Sequence, residues 1–128
     1  MGAELYQFAA HEEPQLDTSR IIVLRQSLGD RRCREVVEEV VFHLTDRLGM
    51  LRVVLADANH AEAQVIAARL ASLSEQVGLA DFARVSRDLG ACLAAGDRIA
   101  TGAVSARLLR LGEDSLFSVI LYADQTAL

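Results

Sequence analysis

Apolar residues recur along most of this chain at steps of three and four, the repeat of an amphipathic helix. Ile66, Leu70, Leu73 and Val77 follow steps of four, three and four and line one helical face. Ala68, Ala71 and Ser72 fall on a second face that carries almost no side chain. Gly78 follows as a C-terminal stop, so the pattern predicts a helix anchored below and bare above. A longer stripe, Val37, Val41, Leu44, Leu48, Leu51 and Leu55, marks a helix from about Arg31 to Ala56. A second strip beside it (Val36, Val40, Met50, Val54, with His43 and Arg47 interleaved) predicts packing on two sides. The second side is assigned to a short preceding helix that carries Ile21, Ile22, Leu24 and Leu28. Its candidate caps are Asp17, Thr18 and Ser19, and it stops near Gly29.

The remaining pattern continues in the same manner. Asp57-Ala58-Asn59 makes a turn, with Asn59 as a cap for the bare-faced helix. Asp81 is the expected cap of a helix with Phe82, Val85, Leu89, Cys92 and Leu93 inward, ended by Gly96. Asp97 then caps a last helix through Ile99, Val104, Leu108, Leu111, Leu116, Val119 and Ile120, with Gly112 as a kink or split. No alternating strand pattern competes. The reading is all-α: an antiparallel, up-down four-helix bundle over 16–122 with a short N-terminal helix. An arm over 1–15 and a tail over 123–128 flank it. In the arm, Leu5, Tyr6 and Phe8 can lay an apolar patch on the bundle.

Composition narrows the function. A chain of 128 residues supports one domain with a real core, and its single Pro, absent Trp and Ala/Val/Leu bias suit helices. The net charge of −5 argues against a nucleic-acid partner, which needs a clustered basic surface. All 13 basic residues are Arg, so no Lys is present for any role that needs one. Cys33 and Cys92 have no motif spacing and read as small buried hydrophobes in a reducing compartment. The three His and two Cys do not cluster as metal ligands, and no cofactor is expected. No secretory signal pattern and no apolar run of transmembrane length is seen, so the expectation is a cytoplasmic protein without a membrane role.

The order of elements resembles the histidine-containing phosphotransfer (HPt) domain. The points of likeness are Leu16-Asp17 before a short helix, a long helix, a helix ending in Val77-Gly78, and one ending in Ala95-Gly96-Asp97. The family signature is a His, then Leu two residues on, Lys at three, Gly at four and Gly at ten. The resemblance places the Leu on Leu70 and the last Gly on Gly78. It places the phosphoacceptor His on Ala68, the Lys on Ala71 and the first Gly on Ser72. Phosphoryl transfer through His needs an exposed imidazole nucleophile, and alanine has none. A Lys would offset charge on the phosphoryl group, and none exists here. Arg69 projects about 100° away from Ala68 and is a poor substitute. Ser72 stays small enough for a partner to approach.

The resemblance therefore implies an HPt-like protein without enzymatic phosphotransfer at the family site. It would bind a response-regulator receiver domain or a sensor histidine kinase through Ala68, Ala71 and Ser72, with Gln64, Arg69 and Glu75 around them. Two alternatives stand beside it. One is an active phosphotransfer protein using His43 on the long helix or His60 at the start of the central one. The other is a structural or oligomerisation bundle, since fold alone does not give function, and self-association is left open. Glu35, Glu38, Glu39 and Asp46 form a solvated back of the long helix, which Phe42 and Val53 interrupt as a candidate contact patch. Arg31, Arg32 and Arg34 oppose that helix's dipole and hint at an acidic partner.

Overall fold

Side-chain caps start three of the five described helices. A computed structural model describes residues 15–126 and contains α1 (Thr18–Leu28), α2 (Asp30–Ala56), α3 (His60–Gln76), α4 (Ala80–Ala95) and α5 (Arg98–Thr126). Asp17 accepts from the Ser19 amide at 3.1 Å, Asn59 from Glu62 at 3.2 Å and Asp97 from Ala100 at 3.0 Å, each satisfying a donor that its helix leaves free. Asp81 is not the cap of α4; Leu79 holds the cap position and the helix begins at Ala80, two residues earlier than a cap at Asp81 would set it. The Asp81 carboxylate instead accepts from the Gln15 amide at 3.0 Å and pairs with Arg84 at 2.7 Å, tying the incoming chain to α4.

All five elements are helices, and the described residues hold no strand, only an isolated antiparallel bridge between Leu16 and Leu79. α2 packs on α3, α3 on α4, α4 on α5, and α5 returns to α2, while α1 lies on α2. The space between them is filled by Val37, Leu44, Leu51, Leu70, Val77, Phe82, Val85, Leu89, Leu108 and Leu111, all essentially inaccessible to water. Each such side chain contributes about 1.5–3 kcal/mol through burial. Leu44 is fully buried as its stripe predicts, but Leu48 is only partly so and lies at the edge facing α5.

α1 spans 11 residues against 27 in α2, so it cannot cover the whole second strip. Val40 is buried, Val36 and Val54 are half-covered, and Met50 stays 45% exposed. Gly112 does not split α5, which is one continuous helix from Arg98 to Thr126. A Cβ there would come within 3.0 Å of Leu48 Cδ1 and 3.2 Å of Phe82 Cε2, so the missing side chain makes room for both. α5 also continues past residue 122 to Thr126, burying Val119 and Ala123 in the core. The expected patch from Leu5, Tyr6 and Phe8 lies outside the described residues. No helix among those described is long and apolar enough to cross a membrane.

Candidate functional site

On α3 the two helical faces separate largely as the periodicity requires. Ile66, Leu70, Leu73 and Val77 are buried, and Ala68, Arg69, Ser72 and Glu75 are exposed, with Gln64 half-buried. Ala71 departs from this. It is 4% exposed and belongs to the core rather than the bare face. The helical repeat explains why: Ala71 stands about 100° from Ser72 but only about 40° from Ala67, which is fully buried. Ala63, Ala67, Ala71 and Ser74 form a buried line of small residues on α3. On α4, the helix in most extensive contact with α3, Ala83 and Ser86 are also small and buried. Short side chains let helix axes approach closely, and that seam absorbs Ala71.

The exposed face ends in a depression of about 450 Å³, lined by Asp17, Arg20, Ser72, Glu75, Gly78 and Ala80. Its floor is built by a close backbone contact. The Asp17 amide donates to the Gly78 carbonyl at 2.6 Å, and a Cβ on Gly78 would sit 2.2 Å from the Asp17 carbonyl oxygen. Gly78 also holds φ +79°, a conformation in which a side chain is strained. Only glycine lets the end of α3 meet the start of α1 here. Glu75 pairs with Arg87 of α4, so this rim carries Asp17, Arg20, Glu75 and Arg87, two charges of each sign. Asp17, Arg20 and Arg87 were not legible as site residues, because the contact that gathers them is long-range and has no local sequence signal.

The histidines occupy separate places. His43 is half-buried on α2, its ring edge-on to Phe42 with centroids 5.7 Å apart. His60 is exposed at the first position of α3 and lines a second cavity of about 390 Å³ with Arg98, Thr101 and Ser105. His60 stands about two helical turns before Ala68 on α3. His11 lies outside the described residues. On the α3 face itself, among Gln64, Ala68, Arg69, Ala71, Ser72 and Glu75, the Ser72 hydroxyl and the Glu75 carboxylate are the nucleophilic groups, and no imidazole lines the depression beside them. The described residues contain no group of three or more His, Cys, Asp or Glu able to hold a metal ion. Burial raises the Cys33 thiol pKa, and its Sγ lies 3.8 Å from the Ile21 carbonyl, which suits a packing role between α1 and α2. At the start of α2 the Arg32 and Arg31 guanidinium groups lower the Glu35 pKa and keep that carboxylate ionised.

Comparison with known protein families, curated proteins and solved structures finds no match to this chain.

Proposed function

We propose that this chain is an HPt-like antiparallel four-helix bundle that works by binding a receiver domain or a sensor histidine kinase and carries no phosphoryl group itself. The observation that carries the reading is the α3 face. Ala68 and Ser72 stand in solvent directly above buried Leu70 and Leu73, and the face ends where Gly78 seats on Asp17. These are the positions where the resemblance puts the phosphoacceptor, the close-approach residue and the closing glycine. Support for the bundle comes from the closed circuit of packing from α2 through α5. Along α2 and α5 contacts run in opposite order, with Arg34 paired to Asp124 and Leu48 lying beside Gly112. Alanine at position 68 removes the nucleophile but leaves an unobstructed surface, and the mixed charges of Arg20, Arg69 and Glu75 offer a polar rim.

The test is phosphoryl transfer and binding measured side by side. With a phosphorylated receiver domain as donor, the protein takes up no label yet binds the receiver. Ser72→Arg places a long side chain on the contact surface and weakens binding about 10-fold or more without loss of helicity. Wild-type label would overturn the reading, as would Ser72→Arg binding as tightly as wild type. A specific observation favours one competing reading: His60 is solvent-exposed beside Arg98 in the second cavity. Label mapped to His60 would establish that alternative, and label on His43 its counterpart.

A further inference from the structure

A second surface, away from the α3 face, is complementary to itself. On α2, Glu38, Thr45 and Arg52 are spaced seven residues apart and all are exposed, so they form one line along the helix. Phe42 and Gly49, also seven apart, form an adjacent line. Phe42 is 69% exposed, while a Cβ on Gly49 would meet nothing within 4 Å. Gly49 opens into a cavity of about 240 Å³ between α2 and α5, lined also by Thr45, Leu48, Arg52, Leu109, Glu113 and Leu116. The helix thus carries an aromatic knob and, roughly 10 Å further along, an empty socket. Neither Glu38 nor Arg52 makes an ion pair among the described residues.

We propose that α2 pairs with α2 of a second copy of this chain about a two-fold axis passing beside Thr45. The positions decide the geometry. Phe42 lies three residues before Thr45 and Gly49 four after, both on the same side of the Thr45 line, so an antiparallel partner brings each Phe42 over the other's Gly49 at the mouth of the socket. Glu38 lies seven before and Arg52 seven after, so the same rotation sets each Glu38 against the partner's Arg52. A parallel pairing would oppose Glu38 to Glu38 and Arg52 to Arg52. Charge therefore selects the antiparallel arrangement. A two-fold contact repeats both interactions and closes, which limits assembly to a dimer. Val53, 59% exposed and within about 20° of Phe42 around the helix, extends the apolar surface.

Sedimentation equilibrium of the full chain tests this. Wild type shows a reversible monomer–dimer equilibrium. Phe42→Glu raises the dissociation constant about 30-fold or more, as expected for a central aromatic contact. Gly49→Gln fills the socket while favouring helix, so loss of the dimer in that variant cannot be ascribed to unfolding. Glu38→Arg and Arg52→Glu each weaken the dimer about 10-fold, and the double reversal restores it. A wild-type chain that stays monomeric at its solubility limit overturns the proposal. So does a dimer indifferent to Phe42→Glu and Gly49→Gln, or one that the double charge reversal fails to recover.

Discussion

Gly78 and Gly112 are conspicuous as glycines for opposite reasons. At Gly78 the backbone itself is the obstacle: φ is positive and a Cβ would collide with the Asp17 carbonyl oxygen. Gly78→Ala should therefore cost more than the ~1 kcal/mol of an ordinary backbone substitution and loosen the α1 end of the depression. Chemical denaturation checks this, with a loss under about 0.5 kcal/mol counting against the contact. At Gly112 the obstacle is side-chain packing, from Leu48 and Phe82. Sequence reading marks Gly78 as a helix stop, where α3 does end, and Gly112 as a kink or split; α5 is not split there, because periodicity does not report what lies opposite a residue. Ala71 carries the same lesson. Alanine has no polarity to mark its side of the helix, and only about 60° separates Ala71 from Ala68 on the bare face. Ala68→Lys should be tolerated within about 0.5 kcal/mol, whereas Ala71→Lys forces a charge into the seam and should cost several times more. Equal denaturation midpoints for the two variants would contradict the assigned burial.

At the scale of elements, what was legible is what depends on local repeat and local caps. The stripes on α2, α3 and α4, and the caps Asp17, Asn59 and Asp97, come from interactions within four residues. The misreadings come from tertiary context. Asp81 looks like a cap and serves instead as an anchor for Gln15. Leu48 lies mid-stripe yet borders the α2–α5 cavity, because α5 approaches α2 from that side. This difference is measurable. Leu44→Ala should cost about 2–5 kcal/mol through lost transfer energy and a cavity, and Leu48→Ala distinctly less. A larger loss at Leu48 in equilibrium denaturation would contradict the described core. The thiols separate similarly. Cys33, buried and with a raised pKa, should resist alkylation in the native protein, while half-exposed Cys92 reacts first. Faster labelling of Cys33 by mass spectrometry would place α1 off α2.

For the molecule as a whole, the two proposals use separate surfaces: the α3 face with the Asp17–Gly78 depression is the one proposed to meet a receiver or kinase domain, and the α2 face the one proposed to meet a second copy. Most of the α3 face was legible, because Ala68 and Ser72 sit a helical turn apart over a clear apolar stripe. The depression beside it was not, because it exists only once the chain before α1 returns to the end of α3. The α2 socket escaped for the same reason: its far wall belongs to α5. The most direct test of the central claim is amide chemical-shift mapping of the labelled protein titrated with an unphosphorylated receiver domain. The account predicts perturbations centred on Ala68, Ser72, Glu75 and Arg20, with His60 and Arg98 unmoved. Perturbations centred on His60, Arg98 and Ser105, or none at saturating receiver, would contradict it.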